Sequence, residues 1–168
     1  DRSSYYGDSS HTSVFVCKAV RLLHLISIVV PTAGEQLIES GAIRSLLKIA
    51  KARSWGSYIE YSVWSNMVGL LYSFVDSLDW SICKETVTAE TLDVVISLIK
   101  ENPKDEYTQE TGIDYLLQVG KNGDSKLVKM LQKKKVGHLF LDALDQFRDD
   151  DSPVKKTVTK AMEWYMSI

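Results

Sequence analysis

The sequence is poor in the residues that interrupt a chain. Three prolines and nine glycines among 168 residues are too few for the many tight turns of an all-β protein. The two cysteines, Cys17 and Cys83, lie far apart, form no CxxC or other metal-ligand spacing and supply no disulfide framework. A reducing, intracellular and cytoplasmic setting is expected. The three histidines, His11, His24 and His138, show no HxxxH or HExxH spacing. GxSxG, Walker A and GxGxxG patterns do not occur. The chain is therefore read as no enzyme, with no catalytic residues, no metal and no cofactor. Charge of one sign is lacking too: the net charge of -2 gives no global field for nucleic acid or anionic lipid. The most apolar stretch, Val14 to Val30, is interrupted by Lys18, Arg21 and His24. It is shorter than the ~20 residues of a membrane helix, so no membrane partner is expected and the stretch is read as a buried helix.

What is present is a helical apolar period, nearly unbroken from Val14 onward. One face collects Ala19, Leu22, Leu23 and Ile26; later faces collect Ile43, Leu46, Leu47 and Ala50, then Met67, Leu70, Leu71 and Phe74. The pattern continues with Leu92, Val95, Ile96 and Ile99, with Ile113, Leu116 and Leu117, with Phe140, Ala143, Leu144 and Phe147, and with Val158, Ala161, Met162 and Tyr165. Val94 to Ile99 is β-branched enough for a strand, but its spacing and length favour a helix. Breaks are read at Pro31–Gly34, Ser54–Ser57, Asn102–Pro103, Gly120–Asp124 and Asp149–Pro153. Asp1 to Ser13 is polar and Ser-rich, a linker or disordered terminus. The chain opens on Asp1 with no Met or signal peptide, and is read as a segment of a longer protein.

The breaks recur with a period slightly above the ~40–47 residues of armadillo and HEAT units. Each unit is read as a short, a medium and a long helix, the short ones at Glu35–Glu39, Ser81–Thr86 and Ser125–Lys134. The segment Gln36-Leu37-Ile38-Glu39-Ser40-Gly41-Ala42-Ile43-Arg44-Ser45-Leu46-Leu47 resembles the armadillo consensus, where a short helix runs through Gly-Ala-Ile into a Leu-rich one. Gly suits the sharp turn between them. The corresponding Val87-Thr88-Ala89 lacks this glycine, whereas Val136-Gly137-His138 is read as keeping one. The resemblance covers 14–168 and implies an all-α, right-handed armadillo-like α-solenoid of about three repeats. Its units would be roughly 31–76, 77–122 and 123–168, with 14–30 as the last helix of a truncated leading repeat. The importin-α type of groove places Trp and Asn four residues apart on successive third helices. Here those positions hold Arg21, Gly69 and Tyr115, and Leu25, Ser73 and Val119, so that function is not carried over.

In such a solenoid the long helices line the concave surface. At 100° per residue, the side of each long helix away from its core carries Arg21 and His24, then Tyr58, Tyr61, Ser65, Gly69, Tyr72 and Asp76. The next carries Lys104, Tyr107, Thr111, Tyr115, Gln118 and Asn122, and the last Lys156, Lys160 and Glu163. Tyrosine offers a large contact area with a polar tip. The partner-binding residues are thus read as Arg21, His24, Tyr58, Tyr61, Tyr72, Tyr107, Tyr115, Gln118, Lys156 and Lys160, a face rich in tyrosine at its middle and basic at both ends. The partner would be a protein or peptide, acidic with apolar anchors. A spacer or cap role within a larger multidomain protein is the alternative, and nucleic-acid binding ranks below both, because Lys and Arg do not run along every long helix. The basic cluster Lys126, Lys129, Lys133, Lys134 and Lys135 is read as a solvated helix face, and Trp64 as core packing.

Overall fold

The computed structural model describes the backbone of residues 7–51 and 57–168, and the side chains of 14–30, 32–48 and 62–168. Ten α-helices and one 3-10 turn account for the described chain, with no strand among the described residues. They are α1 (Gly7–Val29), α2 (Pro31–Glu39), α3 (Ala42–Lys51), α4 (Ser57–Ser77), α5 (Trp80–Cys83), the 3-10 turn (Lys84–Thr86), α6 (Ala89–Glu101), α7 (Glu106–Asn122), α8 (Ser125–Lys133), α9 (Val136–Gln146) and α10 (Pro153–Met166). The β-branched Val94–Ile99 stretch lies within α6.

Local chemistry explains most boundaries. Pro31 and Pro153 occupy the first turns of α2 and α10, where a missing N–H costs nothing. Pro31–Gly34 therefore opens a helix, where a break alone was expected. Thr88, Asp105 and Asp124 cap α6, α7 and α8, accepting bonds from Thr91 N, Thr108 N and the paired Lys126 and Leu127 amides. Buried Gln109 of α7 donates from Nε2 to Ile99 O at 2.6 Å and Asn102 O at 3.0 Å, closing the carbonyl end of α6. The α2–α3 turn places Gly41 at φ 71°, as the Gly-Ala-Ile match implies. Between α8 and α9 the left-handed position falls on Lys135 at φ 56°. Gly137 lies inside α9, where a Cβ would stand 2.9 Å from Tyr165 Cζ; it makes room for a ring and does not form the turn.

Long helix packs on long helix in chain order: α1 against α4, α4 against α7, α7 against α10. The shorter helices pack against the long helix that precedes or follows them in the chain. The long helices run parallel. Ser27 of α1 hydrogen-bonds Ser73 of α4 at 2.9 Å, and His24 lies over Gly69 three to four residues earlier on both helices. Ser152 donates to Glu106 where α10 and α7 begin, and Trp164 lies over Gly120 near where both end. The core is continuous, from Val20 through Val63, Met67, Leu71 and Phe74 to Leu92, Ile113, Leu117, Phe140, Val158 and Ala161.

Two expectations change at the first helix. Helix already begins at Gly7, inside the stretch read as linker, because Ser, Thr and Asp cost only tenths of a kcal/mol each within a helix. α1 is also less buried than expected. Among its described side chains Val20 and Ser27 are buried, while Leu22 and Ile26, assigned to the core face, are exposed. A helix apolar on most sides leaves its rotation undetermined by period, and the Ser27–Ser73 bond marks the side that packs.

Candidate functional site

The candidate face lies on the long helices opposite the Met67, Leu70, Leu71 and Phe74 side of α4. Its centre is Gly69. A Cβ there would stand 2.5 Å from Tyr107 Oη and 2.9 Å from His24 Nδ1. Side chains from α1 and α7 thus converge over the backbone of α4 at buried Gly69, which joins three helices at one place. Burial lowers the His24 pKa, so this imidazole is neutral near pH 7. Burial also raises the Tyr107 pKa, although its ring remains 44% exposed.

Tyr72 is half-buried one turn further along α4. Its hydroxyl donates to Asp76 Oδ1 at 3.3 Å. Burial, then a hydrogen bond to Asp114 of α7 and the charge of both aspartates, pushes its pKa up, so it stays a neutral donor. Glu106, Glu110 and Asp114 follow at four-residue steps and form an acidic row along α7. Burial, then Asp114 and Glu106, raises the Glu110 pKa. By the 46-residue offset of the Ser152–Glu106 bond, Lys156 stands level with Glu110 and Lys160 with Asp114. Both lysines are exposed, as is Arg21, and Gln118 is half-buried.

The structure therefore brings His24, Tyr72 and Tyr107 together, with Gln118 one turn beyond Asp114 on α7. Tyr115 is a correction. It was expected to face a partner, but its side chain is wholly buried, and its hydroxyl has no hydrogen-bond partner among the described residues. Thr111 is buried as well. Helix α7 is flanked by α4 on one side and α10 on the other, so more than half of its circumference is covered. Tyr58 and Tyr61 lie outside the described side chains. Trp64 is buried, as expected. In the basic cluster, Lys134 pairs with Asp93 of α6, and Lys126, Lys129, Lys133 and Lys135 are exposed.

The acidic row is what sequence reasoning missed, although its four-residue spacing was visible. It changes the electrostatics of the middle of the face from neutral to negative. No group of three or more metal-ligating side chains occurs among the described residues, and none of their helices is long and apolar enough to cross a membrane. Comparison with known proteins finds no matching family model, no similar curated protein and no similar solved structure.

Proposed function

We propose that the chain is an armadillo-type right-handed solenoid segment that binds a partner peptide along the concave face lined by its long helices. The supporting observation is the meeting of His24 and Tyr107 over Gly69, which makes one surface from three units. Stacked units give such a surface rigidity before any ligand arrives, and that lowers the ordering cost of binding. Tyr72 and Tyr107 supply flat anchors. Arg21, Lys156 and Lys160 pair with acidic side chains of the ligand, while the Glu106–Glu110–Asp114 row accepts a basic one between them. The ligand is thus of mixed charge rather than uniformly acidic. Its binding needs neither cofactor nor catalysis.

The test selects peptides from a random display library on the intact chain, then measures their affinity for a triple variant, Tyr107→Ala with Lys156→Gln and Lys160→Gln. Lys156 and Lys160 are exposed, so each lysine substitution shifts stability by about 0.5 kcal/mol or less, and a thermal melt checks that the variant stays folded without the Tyr107 ring over Gly69. Affinity falls about tenfold or more, because loss of a central aromatic anchor alone costs about 2 kcal/mol. Peptides that bind the variant equally well place the site elsewhere. A selection that yields no peptides favours the spacer role.

A further inference from the structure

The amide that closes the carbonyl end of α6 has a second end. Gln109 is 2% exposed, and its Nε2 is spent on Ile99 O and Asn102 O. Two carbonyl acceptors fix the nitrogen on that side, so Oε1 faces the other way. Oε1 accepts no hydrogen bond among the described residues. Buried polar groups are seldom left bare, and this one calls for a donor.

Gln109 lines a cleft of about 350 Å³ between the ends of α6 and α9. That volume lies at the small end of ligand sites, with room for one long side chain or a small molecule. Its walls are apolar: Ile99, Leu139 and Ala143 are buried beside Gln109, and exposed Pro103 stands at the edge. Asp142 and Asp145 of α9 reach the same cleft from exposed positions, and Lys100 is the one cation that lines it. Asp145 pairs with Arg148, whereas Asp142 enters no ion pair among the described residues. Both α6 and α9 end here, and the carbonyl end of a helix favours a cation.

A ligand for this cleft has to donate to Oε1 between apolar walls and bring positive charge to Asp142 at the mouth. A guanidinium does both. It is flat and weakly hydrated, and its five N–H groups donate in two directions at once. An ammonium carries the charge but gives up strong hydration at such walls. A carboxylate or phosphate would set acceptor against acceptor at Oε1 and at Asp142. We infer that the cleft at Gln109 binds a guanidinium group, which donates to Oε1 at the floor and to the Asp142 carboxylate at the mouth. An arginine side chain on a polypeptide and free arginine share this chemistry. No residue lining the cleft belongs to the peptide face around Gly69, so the inference stands independently of that reading.

The experiment titrates the isotope-labelled intact chain with N-acetyl-arginine methylamide and follows it by NMR. The side-chain carbonyl carbon of Gln109 is expected to shift saturably at low-millimolar concentration, with the amides of Lys100 and Asp142 moving at the same affinity. The citrulline analogue keeps the shape and loses the charge; it and the lysine analogue each bind about fivefold more weakly or worse. Asp142→Asn weakens the arginine compound about threefold or more, and Lys100→Glu, which removes the nearby cation, strengthens it. Both sites are exposed, so circular dichroism stays unchanged. Free arginine binding no tighter than the blocked compound assigns the cleft to a side chain on a polypeptide; tighter binding of the free form assigns it to the amino acid. A Gln109 carbonyl that does not move, citrulline as tight as arginine, or an affinity indifferent to both substitutions overturns the proposal and leaves Oε1 to water.

Discussion

The pair α1–α4 and the pair α7–α10 are built alike and finished differently. Each sets two long helices parallel, with a ring from one lying on a glycine of the other: His24 on Gly69, Trp164 on Gly120. Each pair also has a left-handed turn in its neighbourhood, at Gly41 between α2 and α3 and at Lys135 between α8 and α9. The outer side of α1 is apolar, whereas exposed Lys156, Thr159, Lys160 and Glu163 make that of α10 polar. A repeated unit thus fixes the internal contacts and leaves the outer faces free to differ.

The sharpest way to break this parallel is to fill both glycines. Gly120→Ala drives a Cβ into the Trp164 ring, with Cε2 at 2.8 Å, and the ring must leave the α7 backbone. A loss of about 1–3 kcal/mol is expected, beyond the gain of about 1 kcal/mol from better helix propensity. Gly69→Ala meets only the tips of His24 and Tyr107, two partly exposed side chains that can swing aside. There strain and propensity nearly cancel, and the net change stays within about 1 kcal/mol. Urea denaturation of both variants measures the contrast, and equal losses would show that the two pairs are packed alike.

A smaller effect separates the turns. An L-residue with a side chain costs about 1–2 kcal/mol in the left-handed region. Lys135→Gly should therefore stabilise the chain by about 1 kcal/mol, and Gly41→Ala should destabilise it by a similar amount. No atom lies within 4 Å of the Cβ that alanine would place at Gly41, so backbone strain alone sets the effect there. Thermal melts of both variants check it. A Lys135→Gly variant no more stable than the parent would mean that the Lys135 side chain makes a compensating contact.

The smallest effect is titration. Burial lowers the His24 pKa below its ordinary 6.5, so the folded chain prefers the neutral ring. Its contribution is fully present above pH 6.5 and is lost as pH falls from there toward the folded value. Between pH 7.5 and 5.5 the parent should lose more stability than His24→Gln, by less than about 1 kcal/mol. The raised pKa of Glu110 works in the opposite direction and is common to both proteins, so the difference between them isolates His24. Trp164, which takes the place of His24 in the α7–α10 pair, carries no titratable group. Identical pH dependence in the two proteins would remove His24 from the comparison.

Much of the fold was legible because its signals are local. The apolar period placed the helices, and Gly41, Asn102 and Pro153 fell at their borders. What failed depended on neighbours. Tyr115 and Thr111 stand on the side of α7 opposite its apolar row, and that side would be open on an end helix. On an inner helix, flanks covered by α4 and α10 bury them. Lys156 and Lys160 of α10, covered on one flank, are exposed as read. The rotation of α1 could not be read from a helix apolar on most sides. The left-handed turn at Lys135 leaves no trace in its own side chain, and the glycine that signals a turn stands two residues later, at Gly137. On the candidate face, the Glu106–Glu110–Asp114 row shows in the sequence only as four-residue spacing, which by itself does not tell an interacting row from a solvated helix face.

Gln109 gives the array a property that no single helix has. Its amide is spent on two carbonyls at the far end of the preceding helix, so the last turn of α6 and the first turn of α7 share one side chain. Neither can fray alone without stranding a buried donor or two acceptors, at a cost of about 1–3 kcal/mol for each group left unpaired. In hydrogen-exchange terms, the two ends are expected to open as one unit, with the amides beside Asn102 sharing the protection of those beside Gln109. The corner thereby behaves as a clasp, and transient opening is directed toward corners that are held by backbone caps alone.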